Sequence, residues 1–119
     1  MREFLGEDKL CLQDLQAFHE WLDREKAFDL DLLRNVAYLT EEVGEVVGAI
    51  RDLKRADGIS AAEAARAHLG EELADCLAYI LKLANYAGVD LQEAYVRKME
   101  CNLDRTWYKK SEPKPSRGK

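Results

Sequence analysis

The sequence has little of what would interrupt a helix. Its two prolines, Pro113 and Pro115, both lie in the last seven residues, so the long middle of the chain is free of the strongest helix breaker. No segment alternates cleanly between apolar and polar residues, as a half-buried strand would. These two absences argue against a β fold and favour a helical one.

The chain also lacks a basic excess, a long apolar run and paired cysteines. Its 119 residues carry a net charge of −5, which argues against DNA or RNA as the main partner, because phosphate-backbone binding needs a basic face. No apolar run is long enough to span a bilayer, and no signal-peptide pattern follows Met1, so we expect a cytoplasmic protein with no membrane partner. The three cysteines show no CxxC spacing and are expected to be small core residues in a reducing compartment.

Helical periodicity fills the proline-free region. The spacing of apolar residues predicts four helices, over residues 9–26, 30–56, 61–86 and 91–107. Ser60 with Glu63 forms a predicted capping box, and Gly88 suits the left-handed residue that follows a helix. The short connections predict an all-α domain over residues 1–108, an antiparallel four-helix bundle, followed by a disordered polar tail over residues 109–119.

Two stretches thirty residues apart share one pattern of carboxylates and small residues. They are LTEEVGEVVGAI at 39–50 and LGEELADCLAYI at 69–80. Glu42 and Glu45 stand three residues apart, as do Glu72 and Asp75, and side chains at this spacing lie on the same side of a helix. Each pair begins three residues after a seam leucine. If the second and third helices pack antiparallel, the two pairs face each other at mid-helix.

Four carboxylates brought together repel one another and resist desolvation, so they would take up protons or bind a cation. Clustered oxygen ligands suit a hard ion such as Mg²⁺, with Mn²⁺ as a substitute. Gly44 and Gly48 each cost about 1 kcal/mol relative to alanine inside a helix, and they predict a close approach of helix backbones beside the acids. The alternative is an ordinary solvated face, since Glu-Glu is common on exposed helices.

The motifs EEVGE (41–45) and EELAD (71–75) resemble the EExxE…ExxD signature of the MazG-like, all-α nucleoside triphosphate pyrophosphohydrolases. The resemblance covers roughly residues 10–105. It implies a four-helix bundle of the all-α NTP pyrophosphatase type and a Mg²⁺-dependent hydrolase for house-cleaning or nucleotide-pool control. The enzyme would cut a nucleoside triphosphate between its α- and β-phosphates, giving a nucleoside monophosphate and pyrophosphate. The implied metal ligands are Glu42, Glu45, Glu72 and Asp75.

The resemblance also implies roles for residues around the acids. Glu42 as a ligand, and Glu41 as a carboxylate that positions or deprotonates the attacking water, are the implied catalytic residues. Lys98, Asn102 and Arg105 share one face of the fourth helix, where the family holds the phosphates, and Lys82 is a further candidate.

Base recognition is the least determined part of the site. The candidates for stacking on the base are Trp21, Phe28, Tyr38 and Tyr79. Aromatic side chains at helical spacing are more often core residues. The family often has a more evident aromatic and basic stretch before the first Glu-Glu, where this sequence has EKAFDLDLLRN, so the base specificity stays open.

Two other classes of protein are alternatives to this one. A carboxylate-bridged di-iron bundle uses Glu-x-x-His on two helices, and neither histidine stands at that spacing. A non-catalytic helical module for oligomerisation or nucleotide binding would show the same apolar seams, but it has no use for inward carboxylates. Val47, Leu77 and Leu81 lie outside the seams and predict helix faces buried by a second subunit. Together with the resemblance, they favour a homo-oligomer, a tetramer ahead of a dimer.

Overall fold

The computed structural model describes residues 9–105, and four helices make up most of that range. They are α1 (Leu12–Lys26), α2 (Leu32–Arg55), α3 (Ile59–Ala87) and α4 (Leu91–Leu103). Residues 9–105 contain no strand, which confirms the predicted all-α class. Trp107, the predicted end of the fourth helix, and the predicted polar tail 109–119 lie outside the described residues.

Two helices begin at aspartates whose side chains cap them. The Asp31 carboxylate accepts the backbone N–H of Arg34 at 2.8 Å at the start of α2. The Asp90 carboxylate does the same for Glu93 at 3.1 Å at the start of α4. Each bond satisfies a backbone donor that has no partner inside the helix, so the aspartates fix where these helices start.

Glycines set the two ends of α3. Gly88 follows the helix in the left-handed conformation, at φ 71°, as predicted. The capping box predicted at Ser60 and Glu63 is wrong, because α3 begins at Ile59 and Ser60 already lies inside it. Gly58 precedes the helix at φ 94°, a conformation that disfavours any residue with a side chain, and this turn starts the helix earlier than the capping pattern indicates.

Helices α2 and α3 form the most extensive pair of the fold, while α1 packs against α3 and α4 packs against α1. The α2–α3 pair is antiparallel: the ring of Tyr38 lies 6.0 Å from the ring of Tyr79, and Glu42, one turn later in α2, meets Asp75, one turn earlier in α3. Side chains from the middles of both helices therefore face each other across the pair.

The core of the single chain is small. Its buried hydrophobic residues within the described range are Phe18, Ala49, Leu81 and Ala84. Leu81 is only 2% exposed, so its prediction as part of a subunit face is wrong. The reason is that α1 covers this end of α3, where Lys82 and Asn85 both contact it. No helix within residues 9–105 is long and apolar enough to cross a membrane.

Candidate active site

Three of the four predicted ligand carboxylates meet at the centre of the α2–α3 pair. One carboxylate oxygen from each of Glu42, Glu72 and Asp75 lies within 4.8 Å of the other two. Glu42 comes from α2, while Glu72 and Asp75 come from successive turns of α3. The Glu72 side chain is 12% exposed, so the cluster is partly withdrawn from water. The antiparallel packing places the repeated motifs as the sequence predicts.

The cluster opens into a cavity of about 590 Å³. Its lining residues are Glu41, Glu42, Gly44, Glu45, Glu72 and Asp75. Glu45, the fourth predicted ligand, lies at the edge of this cavity and is exposed, outside the tight group of three. Glu41, the predicted water-positioning carboxylate, is exposed at the same edge. The space beside the acids is therefore large enough for a phosphate chain and is bordered by five carboxylates.

The electrostatics of this cluster are unbalanced. Desolvation first, and then the neighbouring charges of Asp75, Glu72 and Glu45, raise the pKa of Glu42 above its ordinary value. Within residues 9–105, no lysine or arginine forms an ion pair with any of the three clustered carboxylates. The imidazole of His68 lies 3.5 Å from Glu72. The chain thus supplies negative charge here without a strong positive counterpart.

The two glycines of α2 do not mark a close approach of backbones within the chain. A Cβ placed on Gly44 would have no atom of the described chain within 4 Å, and one on Gly48 would meet only the Arg51 side chain of the same helix, at 3.5 Å. The predicted backbone approach is therefore wrong for the single chain, because neither glycine has the backbone of another helix within 4 Å of this position. Gly44 instead leaves room at the mouth of the acidic cavity.

A second cavity, of about 280 Å³, lies next to the acids along the same helix pair. Its lining residues are Phe28, Asp29, Asn35, Tyr38, Tyr79 and Lys82. Tyr38 precedes Glu42 by four residues and Tyr79 follows Asp75 by four, so each ring stands one helical turn from the cluster on the same side of its helix. Burial, and then the charge of Glu42, raise the pKa of the Tyr79 hydroxyl.

The predicted base-stacking residues divide between two places. Phe28 and Tyr79 line the second cavity, together with Tyr38. Trp21 is not among its lining residues; its ring packs 6.0 Å from that of Phe18 on α1.

Sequence reasoning missed Asn35 as a lining residue of this cavity and considered Lys82 only for phosphates. The spacing carries a signal for both, because Asn35 precedes Glu42 by seven residues and Lys82 follows Asp75 by seven. Seven residues are about two helical turns, which return to the same side of a helix.

The predicted phosphate-binding residues lie on α4, away from the acids of the same chain. None of the residues that line the acidic cavity comes from α4, whose main contacts are with α1. Lys98 and Arg105 are exposed, and Asn102 is partly buried. Their role as phosphate ligands stays a prediction.

A comparison with protein-family models identifies the class of this protein. The model of the MazG nucleotide pyrophosphohydrolase domain matches residues 30–105, which is well over half of the chain and includes both acidic motifs. The chain therefore belongs to the MazG nucleotide pyrophosphohydrolase family, as the motifs predict. A search of curated proteins gave no match.

Proposed function

We propose that this protein is a Mg²⁺-dependent hydrolase that converts a nucleoside triphosphate into the monophosphate and pyrophosphate. The observation that supports this most is the convergence of Glu42, Glu72 and Asp75 within 4.8 Å, with no lysine or arginine partner in the described chain. Membership of the MazG family supplies the expected substrate class.

The residues of the cluster fit a hard divalent cation. All three donors are carboxylates, which Mg²⁺ and Mn²⁺ prefer. Desolvation, followed by the neighbouring carboxylates, raises the pKa of Glu42, so its negative charge is unfavourable without a cation. Glu42, Glu72 and Asp75 would hold the ion, with Glu45 as a fourth ligand at the cavity edge. A bound ion there would neutralise the triphosphate and activate water for attack on it.

The remaining residues act on the nucleotide itself. Glu41 borders the acidic cavity and would orient or deprotonate the attacking water. Tyr38 and Tyr79, whose rings pack against each other at 6.0 Å, would contact the base from one wall of the neighbouring cavity. Asp75 and Lys82 are seven residues apart, about 10 Å along the helix, which is comparable to the reach from a base to its phosphates. One nucleotide can therefore lie along α2 and α3 with its base in the second cavity and its phosphates at the acids.

The apolar surface supports assembly into a homo-oligomer. The α2–α3 pair leaves several large apolar side chains exposed: Val43 (49%), Val47 (61%), Leu73 (52%) and Leu77 (40%). Exposed apolar surface of this kind is typical of a subunit interface. We propose a tetramer ahead of a dimer, in which α4 of a neighbouring copy brings Lys98, Asn102 and Arg105 to the phosphates. Light scattering on a size-exclusion column measures this assembly directly, and a monomer at micromolar concentration contradicts it.

The function is tested by a panel of ribo-, deoxyribo- and damaged nucleoside triphosphates with Mg²⁺, scored by release of pyrophosphate. We expect release from at least one of them, and none from the Glu72→Gln variant. Glu71→Gln is the matched control, because Glu71 is the exposed neighbour of Glu72 and lies outside the cluster. If the protein binds nucleotides but releases no pyrophosphate from any of them, it is a binding module and the proposal is wrong.

A further inference from the structure

A buried polar network joins α1 to α3 beside the aromatic cavity. The Lys82 ammonium lies 3.0 Å from the Asp23 carboxylate, and the Tyr86 hydroxyl donates to the other oxygen of that carboxylate at 2.7 Å. Asp23 is 5% exposed, and the Lys82 side chain is 11% exposed. A charge pair this far from water has little freedom, so Asp23 fixes the position of the ammonium.

The same ammonium belongs to the wall of the cavity. It lies 4.7 Å from the centre of the Phe28 ring and 5.5 Å from that of Tyr79, distances at which a cation is attracted to an aromatic face. A lysine ammonium has three hydrogens, and Asp23 is its one ion-pair partner within the described residues, so hydrogens remain for a ligand. Lys82 therefore presents a fixed positive donor to anything that enters between the rings.

Asn35 supplies a complementary acceptor. It is 2% exposed, and its amide nitrogen donates to the backbone oxygens of Asp29 at 2.9 Å and Asp31 at 2.7 Å. Both amide hydrogens are used in these bonds, which leaves the amide oxygen to accept. Because Asn35 lines the cavity, a flat ligand held there meets one positive donor and one neutral acceptor.

Of the titratable groups near Lys82, only Asp23 forms an ion pair with it within the described residues. The carboxylate of Asp29 is held by Arg34 at 2.7 Å, and the backbone N–H of Asp31, followed by Arg34, lowers its pKa. Burial, followed by the charge of Lys82, lowers the pKa of His19, which is therefore uncharged at neutral pH. No second lysine or arginine among the described residues forms an ion pair with the Asp23 carboxylate.

We propose that Lys82, positioned by Asp23, is a specificity-determining residue that selects nucleobases carrying a carbonyl oxygen over adenine. This rests on the proposed function, because only then does a base enter the cavity. An ammonium binds most strongly to the acceptor with the most negative partial charge, and a carbonyl oxygen exceeds a ring nitrogen in this respect. Guanine, thymine, uracil and cytosine each carry a carbonyl group, whereas adenine carries none.

The test measures base preference by binding, so that it does not depend on hydrolysis. Calorimetry without metal gives the Kd of dGMP, dTMP, dCMP and dAMP. We expect the first three to bind about 10-fold more tightly than dAMP, because a ring nitrogen of adenine still accepts a hydrogen bond from the ammonium, although a weaker one. The Asp23→Asn/Lys82→Met double variant removes both buried charges together and should lose this preference, while Lys54→Met, on the exposed end of α2, should keep it.

Two results would overturn the proposal. One is equal binding of dAMP and dGMP by the unaltered protein, which needs no variant to fold. The other is a double variant that weakens all four ligands by the same factor, since this would make Lys82 a structural residue only. Failure of the proposed function gives a different result. The protein would then bind the four monophosphates with a base preference, but it would release no pyrophosphate from the corresponding triphosphates with Mg²⁺.

Discussion

Two charged groups meet α3 about two helical turns apart, one at Lys82 and the other at Asp75, and they differ in whether the chain supplies a cation. Asp23 is paired with the Lys82 ammonium and with the Tyr86 hydroxyl, whose pKa rises through burial and through its bond to that carboxylate. Glu42 instead faces Glu72 and Asp75, and its own pKa rises. The first group is balanced within the fold, while the second is unbalanced, because none of its carboxylates pairs with a lysine or arginine among the described residues.

The two groups differ in whether the fold itself supplies a cation to the carboxylates. A buried carboxylate with a matched cation and a hydrogen bond needs nothing more, and it can position its partner. A cluster of carboxylates without a cation is unfavourable, and it relieves the repulsion by taking up protons or by binding a cation. Four substitutions can break or sharpen the comparison.

The largest effect is expected for Asp75→Asn, which removes one carboxylate of the unbalanced group. Pyrophosphate release should fall by about 1000-fold or more, because loss of a metal ligand removes several kcal/mol of charge stabilisation in the transition state. A steady-state assay with Mg²⁺ measures it. Asp57→Asn, in the exposed connection between α2 and α3, is the control and should retain full activity. Full activity in Asp75→Asn would remove this residue from the metal site.

Breaking the balanced group should cost stability. Lys82→Met leaves the 5%-exposed Asp23 without its cation, and the free energy of unfolding should fall by about 3 kcal/mol or more. Adding Asp23→Asn should restore most of the loss, because an asparagine can still accept the hydroxyl of Tyr86. Urea denaturation followed by circular dichroism compares the three proteins. If the single and double variants are equally destabilised, the loss of stability does not come from an unpaired Asp23 carboxylate, and the two residues are not coupled.

A smaller effect is expected for Lys98→Ala on α4. If this residue binds phosphate equally in the ground and transition states, KM should rise by about tenfold with little change in kcat. Michaelis–Menten kinetics with the best triphosphate of the panel measure both constants. Lys9→Ala, an exposed lysine before α1, serves as the control. An unchanged KM would exclude Lys98 from the site.

The smallest effect is expected for Glu42→Gln, on the thermal stability of the metal-free protein. The raised pKa of Glu42 means that the folded state favours the protonated carboxyl, so this group contributes stability at acidic pH that is lost as pH rises through its folded pKa. Glu42→Gln should therefore raise Tm by a few degrees at neutral pH in EDTA, and the gain should vanish at acidic pH, where the native carboxyl is itself protonated. A Tm lowered at neutral pH would show that the cluster stabilises the fold by itself.

Much of this arrangement follows from the sequence. The repeated Glu42/Glu45 and Glu72/Asp75 spacings predict the meeting of Glu42, Glu72 and Asp75, because a helix returns side chains three apart to the same side. They do not predict that Glu45 stays at the edge of the cavity. The exposure of Gly44 to solvent was not predictable from the sequence. Periodicity shows which residues share a side of a helix, but it does not show which side a neighbouring helix covers.

Asn35 and Asp23 were missed for a different reason. The role of Asn35 depends on how the loop before α2 folds back onto its amide, which helical periodicity does not describe. The role of Asp23 depends on the packing of α1 against α3, a contact that joins residues far apart in the sequence. Leu81 was assigned to a subunit face for the same reason, because only the folded chain shows that α1 covers it.

The most direct test of the central claim is a titration of the metal-free protein with Mg²⁺ or Mn²⁺, followed by thermal unfolding, without nucleotide. A bound ion at 100-fold excess over its Kd should stabilise the native state by about 2.7 kcal/mol. The unaltered protein and Glu71→Gln should show this rise in Tm, and Glu72→Gln should not. An equal rise in all three proteins, or no rise in any of them, would contradict a cation site at the meeting point of α2 and α3.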